Sequence, residues 1–436
     1  MVIKRKYFTK LNMEKIKPSK ALIDALNNML QGNPEFVLLD EQKVVYEKTL
    51  FLSNIAGHRK KQVFIVEGGP GTGKSVVAIN LLVELTKQGK VVQYVTKNSA
   101  PREVYIKKLV GKKLFGKARI SNLFKSSGIY YDVKSNTFDV LLVDEAHRLN
   151  RKSWVFNNKG ENQIKEIINA SKCSIFFIDE DQRVTLRDIG SKSEIKKWAE
   201  EFNAKVTEMK LELQFRCNGS DGYIAWLDNV LQIRETANFT LNDIDYEFKV
   251  YDDPQSLHHA IIKKNSINNK SRVVAGYCWD WISKKPGKTD FYDIQIGDYK
   301  ARWNLTKHGM TWIIHPQSVT EVGCIHTCQG LELEYVGVII GPDLLVRNGK
   351  VITDYKKRAS TDQSLKGIKK LAREKGEAYA QKIAEPIIKN TYRTLMSRGT
   401  KGCYIYSVDP GTNNYFRKAI KEKGQYFVTD DNLLVD

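Results

Sequence analysis

A chain of 436 residues is long enough for two or three domains, and an apolar fraction of 42% supports sizeable buried cores. No stretch approaches the ~20 uninterrupted apolar residues of a membrane-spanning helix, and the basic N-terminus lacks the apolar run of a secretory signal, so composition favours a cytoplasmic protein without a membrane partner. The net charge of +20 fits a polyanionic partner. It is concentrated in residues 1–20 (seven Lys/Arg, one acid), 105–125 (seven, none) and 356–375 (eight, two). The six cysteines form no C-x-x-C pair and read as reduced thiols.

In chain order, residues 1–34 are a basic lead-in with weak helical patterning around Ala21 to Leu30. Phe36 to Phe51 (FVLLDEQKVVYEKTLF) predicts an amphipathic helix opened by an acidic LDEQ. Gln42 in it carries a carboxamide that can donate and accept at one base edge, although on its own it reads as an ordinary exposed helical residue. Val63 to Ser75 (VFIVEGGPGTGKS) is the most informative stretch. Val63–Val66 predicts a short buried strand, and Val76–Leu85 a buried helix. Between them Gly68, Gly73, Lys74 and Ser75 match G-x-x-x-x-G-K-[ST], with Gly69, Pro70, Gly71 and Thr72 inside the loop. Glycines let backbone N–H groups turn inward around a polyphosphate, and the following helix points its positive N-terminus at the same oxygens. Lys74 would reach the β- and γ-phosphates and Ser75 would ligate Mg²⁺. The loop implies a nucleoside triphosphate.

Val91 to Val95 is a second strand running into TKNSAPREV, whose small hydroxyl and amide groups before a helix start suit a phosphodiester backbone. Asn122 to Asp132 reads as a loop. Asp139 to His147 (DVLLVDEAH) is a buried strand ending in an acidic pair. Asp144 would hold Mg²⁺, and Glu145 would orient and deprotonate the attacking water. Cys173 to Ile178 is a third strand, leading to Asp179-Glu180-Asp181-Gln182, where Gln182 suits a γ-phosphate sensor. Met209 to Cys217 predicts a strand leading to Arg216, which could neutralise charge developing in phosphoryl transfer.

Near residue 220 the pattern restarts. Tyr246–Tyr251 and Arg272–Tyr277 predict strands of a second α/β unit. The loop-rich residues 277–320 hold Trp279, Trp281, Trp303 and Trp312, read chiefly as core although such rings can stack on unpaired bases. Asp293 with Asp298-Tyr299-Lys300 is a faint metal-nuclease match of a kind common by chance. Gly323 to Gly341 is a strand, a polar loop ahead of Glu332, and another apolar strand from Tyr335 to Ile340. Asn390 to Val408 places Arg398 after a helix and before a closing strand.

The ordered series resembles superfamily 1 helicases. LDEQ is similar to their adenine-reading motif, GGPGTGKS to motif I, TKNSAP to Ia, VDEAH to II, DEDQ to III, LQFRC to IV, IHTCQGLE to V and YRTLMSRG to VI. More closely, residues 18 to 420 resemble the Schlafen group 3-like DNA/RNA helicase domain family. The resemblance implies an α/β protein with two RecA-like P-loop NTPase domains, each a mainly parallel sheet flanked by helices, with ATP in the cleft between them. The domains would span 35–218 and 219–436, the second with an aromatic insert at 277–320 and a basic insert at 345–390. It further implies that Gln42 reads adenine, Gln182 senses the γ-phosphate, and Arg216 and Arg398 act as arginine fingers. Glu332 would contact the ribose, and Thr96, Asn98, Ser99 and Thr327 a nucleic-acid strand. Cys324, His326 and Cys328 then belong to motif V and not to a metal site.

The expected function is an ATP- and Mg²⁺-dependent motor on single-stranded DNA or RNA, with a nuclease or other effector as partner. Motif III lacks the usual glycine and the inserts are short, so unwinding is not implied. Two alternatives stay open: a regulatory ATPase switch that binds nucleic acid or a protein, and a nuclease built on residues 290–300.

Overall fold

The computed structural model describes residues 38, 40–57, 60–110, 122–153, 159–212, 221–242, 244–285, 288, 290–304, 308–328 and 333–421. The chain packs as two compact units. Of the described residues, the first takes in those up to Gly68, within 73–179 and within 189–212; the second takes in Gly69–Thr72, Glu180–Asp188 and those from Asp221 onward.

In the first unit, helix α1 (Asp40–Ile55) precedes β1 (Gln62–Gly68), α2 (Lys74–Lys87), β2 (Val92–Thr96), α3 (Ser99–Val110), β3 (Phe124–Ser126), β4 (Phe138–Asp144), α4 (Gln163–Ala170), β5 (Ser171–Ile178), α5 (Lys192–Glu201) and β6 (Lys205–Leu211). The strands form one six-stranded sheet in the order β3-β2-β4-β5-β1-β6, and every pair is parallel. Its central strands β2, β4, β5 and β1 are buried almost throughout, because helices cover both faces. Alternate residues divide between two cores. Phe64, Val66, Tyr94, Leu142 and Phe177 face α1 and α2, whereas Val63, Ile65, Val95, Val143 and Phe176 pack with Ile167 of α4 and Trp198 of α5.

Two elements of this unit differ from expectation. The strand expected at 209–217 is β6, in register with β1 from Gln62↔Lys205 to Gly68↔Leu211. It lies at the sheet edge with alternating exposure, so it lacks the apolar run that marks a central strand. The loop expected at 122–132 contains β3, too short to carry a periodicity of its own.

The second unit continues with α6 (Asp221–Val230), β7 (Glu247–Val250), α7 (Pro254–Asn268), β8 (Ser271–Ala275), a hairpin of β9 (Ile294–Ile296) and β10 (Tyr299–Ala301), and β11 (Val322–Gly323). After the short α8 (Ile325–Cys328) come β12 (Leu333–Ile340), a second hairpin of β13 (Leu344–Arg347) and β14 (Lys350–Thr353), α9 (Ile368–Lys375), α10 (Glu377–Met396), β15 (Gly399–Ser407) and α11 (Pro410–Lys421). Its five-stranded sheet runs β11-β8-β12-β15-β7 and is again parallel. The protein is thus mixed α/β with two parallel sheets flanked by helices. Trp303 and Trp312 are fully buried, and Trp303 stacks on Tyr277 with centroids 5.1 Å apart.

Asp293 is also structural. Its carboxylate accepts from the N–H groups of Ile282, Ser283 and Trp303 and from the Ser283 hydroxyl, while Asp298 is exposed in the β9–β10 turn. No helix among the described residues is long and apolar enough to cross a membrane.

Candidate nucleotide site

The candidate site of the first unit grows from two neighbouring strand ends. β1 ends at Gly68, and Gly73 caps α2 in a left-handed conformation at φ 81°. A side chain there would be doubly costly, because a Cβ would lie 2.2 Å from Gln42 Nε2. That approach sets the Gln42 carboxamide, 3% exposed, against the start of α2. Lys74 is 7% exposed, and its ammonium donates to the Gly68 carbonyl at the end of the strand. In the loop itself the Thr72 hydroxyl donates to the Gly69 carbonyl at 3.1 Å; Pro70 is buried and Gly71 half-buried.

β4 supplies the acidic pair. Parallel pairing of β2 with β4 sets Thr96 opposite Asp144. Asp144 accepts the Ser75 hydroxyl at 2.6 Å, the Tyr94 hydroxyl, and the N–H of Glu145 at 2.9 Å. Burial raises its pKa and the adjacent Glu145 charge adds to the rise, against the hydrogen bonds from Ser75 and Tyr94 and the attraction of Lys74.

Glu145 adopts φ 55° and ψ 44°, a left-handed conformation that a side chain with a Cβ holds only under constraint. His147 lies beside this turn: its Nδ1 accepts the N–H of Asp179 at 3.3 Å, and its Nε2 is 3.0 Å from Glu145 Oε2. Gly190 supplies part of the constraint, since a Cβ there would lie 1.9 Å from the Ala146 carbonyl oxygen. The backbone of residue 190 thus packs directly on the acidic turn.

The other candidates are less exposed than a ligand contact suggests. Thr96 is fully buried and its hydroxyl accepts the Asn98 N–H at 3.2 Å. Asn98 accepts from Arg148 at 3.4 Å, and Ser99 is half-buried. In the second unit, Gln182 is 3% exposed in a turn of 3-10 helix. Thr327 donates to the Cys324 carbonyl at 2.9 Å. Arg398 is 1% exposed, and its Nε donates to the Thr394 carbonyl at 2.9 Å. Arg216, Glu332, the lead-in 1–34 and residues 111–121 of the second basic segment lie outside the described residues.

The third basic segment holds an internal exception. Arg358 is buried and bonded to Asp343 at 2.9 Å, Asp362 at 2.8 Å and Ser364 at 2.9 Å, so it does not contribute to a polyanion surface. Tyr94, His147 and Gly190 were not singled out from sequence. His147 at least stood inside the DEAH motif, whereas Tyr94 read only as one more strand residue.

The sequence model of the Schlafen group 3, DNA/RNA helicase domain matches residues 61–409. The chain belongs to this family. A relative in Saccharomyces cerevisiae, the uncharacterized protein YPL245W, is 25% identical over 412 residues, covering 85% of this chain and 88% of its own. Among solved structures, the Pif1 helicase of Candida albicans aligns over 88% of this chain and 98% of its own, with 13% identity and a TM-score of 0.34. A hypothetical ATP-dependent RNA helicase of Sulfolobus tokodaii aligns over 92% and 100%, with 14% identity and a TM-score of 0.26. Likenesses this distant carry no argument, and the reading of this Schlafen group 3 helicase domain rests on its own residues and on the family match.

Proposed function

We propose that this Schlafen group 3 helicase-domain protein is an ATP-dependent motor that grips single-stranded DNA or RNA. The observation that carries the reading is the oxygen cluster at the start of α2, where the Ser75 hydroxyl lies 2.6 Å from Asp144, itself followed by Glu145 in a constrained backbone. A hydroxyl and two carboxylates are a hard, all-oxygen donor set of the kind Mg²⁺ takes, and the raised Asp144 pKa marks a carboxylate whose charge the protein leaves under-compensated. Ser75 and Asp144 would hold the ion. When bound, Mg²⁺ would neutralise phosphate charge.

The protein's own groups account for the remaining roles. The start of α2 offers backbone N–H groups to the phosphates, and Lys74 adds a point charge. Glu145, held by the left-handed turn, takes a proton from the attacking water. Gln42 reads the base from its place beside Gly73. Gln182, Arg398, Arg216 and Glu332 keep the roles that the family resemblance implies.

The regulatory-switch reading has one observation in its favour: the hydroxyls of Thr96 and Thr327, both expected on a nucleic-acid strand, are buried and bonded within the chain. Steady-state ATPase activity without polymer, with single-stranded DNA and with single-stranded RNA separates the two. Stimulation of about tenfold by one polymer, abolished by Lys74→Ala, is the result expected of a motor. ATPase activity that neither polymer changes would replace the motor with the switch.

A further inference from the structure

We propose that Arg234 is a positioning residue that locks the segment carrying Gln182 to the helix leading to Arg398, so that the candidate γ-phosphate sensor and the candidate arginine finger move as one piece. The inference rests on the ATPase reading above. Every residue it uses belongs to the second unit.

A continuous line of ion pairs makes the connection. Arg393, on α10 and shortly before Arg398, pairs through Nε and through Nη2 at 3.2 Å with Asp228 of α6. Both side chains are 1% exposed. Asp228 also accepts from Arg234, at 2.8 Å from Nε and 2.6 Å from Nη2. The Nη1 of the same guanidinium reaches Asp181 at 3.0 Å, next to Gln182. A guanidinium suits this place because its planar fork of donors engages two carboxylates at once, which a lysine ammonium on a single flexible stem does not do in a fixed geometry.

Two further hydrogen bonds, one from a side-chain amide and one between backbones, run parallel to that line. Asn390 of α10 donates to the Arg183 carbonyl at 3.2 Å, and the Leu186 N–H donates to the Ser364 carbonyl at 2.9 Å. Asp188 in turn gathers the N–H groups of Val184 and Thr185 and the Thr185 hydroxyl. Residues 180–188 are therefore fastened from both sides to the framework that ends at Arg398.

The links differ in strength. Asp228–Arg393 is sealed from water, and removing either charge would strand the other. Arg234–Asp181 is open, with side chains 53% and 43% exposed. It is the link that water and salt weaken first, and so the one that can be cut without unfolding the unit.

The test is a double-mutant cycle on the full chain with Asp181→Asn, Arg234→Met and their combination. It measures kcat and KM for ATP together with thermal melting. Each single variant is expected to lower kcat about two- to fivefold, the range an exposed ion pair can supply, with KM within about twofold. The double variant should be no slower than the slower single, because both changes cut one link. Additive losses, or wild-type kcat in both singles, would overturn the proposal. So would a loss of kcat that only tracks the folded fraction. If Arg234→Met does not fold, Asp181→Asn decides alone, since Asp181 lies on the open side of the link. A wild-type chain without any ATPase activity would overturn the ATPase reading and this inference with it, whereas an active wild type with unaffected variants overturns the inference alone.

Discussion

Asp343 and Asp362 in the second unit face the guanidinium of Arg358 at 2.9 and 2.8 Å, whereas Asp144 in the first unit takes its side-chain hydrogen bonds from two hydroxyls. All of these acids are buried. For Arg358, burial alone lowers the pKa, but the attraction of Asp362 and Asp343 outweighs it and holds the guanidinium above its ordinary value. Asp144 shows the converse: burial and the neighbouring Glu145 raise its pKa against weaker opposing contacts. A buried acid matched to a cation is finished within the fold, and one left short of positive charge is available to a ligand that brings some. The surroundings of each carboxylate, more than its depth, separate the structural cluster from the candidate site.

Three substitutions press on this contrast. The largest effect is expected from Glu145→Gln, which keeps the shape of the acidic turn and removes the proposed base. Turnover of ATP should fall about 10²- to 10⁴-fold while equilibrium ATP binding changes only a few-fold. Near-normal phosphate release by the variant would mean that the under-compensated pair is not the catalytic one.

Next comes Arg358→Met, which leaves Asp343 and Asp362 buried without their cation. Denaturant unfolding should show a loss of about 3–5 kcal/mol. A loss below about 1 kcal/mol, the level of an exposed pair, would remove the distinction drawn for the second unit.

The smallest change in stability is expected from Asp144→Asn, and its sign is the informative part. A carboxylate whose folded pKa lies above its unfolded value costs stability once it is ionised, so that cost is present at neutral pH and fades as pH falls toward the ordinary carboxylate value of about 4. The variant should therefore melt about 2–4 °C higher than wild type at pH 7, with the gap closing toward pH 4, while losing ATP turnover. A lower melting temperature at pH 7 would show that the hydroxyl contacts already compensate the charge.

Much of this was legible without coordinates, and the reason is local. A strand, a glycine loop and a helix start occupy consecutive residues, and the left-handed turn at Gly73 is a property of glycine itself. The apolar run ending in Asp144-Glu145 likewise follows from a strand buried on both faces. The order of such segments was enough to point to two parallel-sheet units and to the helicase-domain family.

What the folded chain adds depends on contacts between distant residues, set by sheet register and packing, which local periodicity does not encode. Tyr94 meets Asp144 because β2 pairs with β4 in the register Thr96↔Asp144. Gly190 is required where its backbone closes on Ala146, and Arg358 is internal because Asp343 and Asp362 converge on it. Residues 180–188 follow β5 in sequence, yet they pack with α10 through Asn390 and through the line from Asp181 to Arg393, and no pattern in the sequence marks that allegiance.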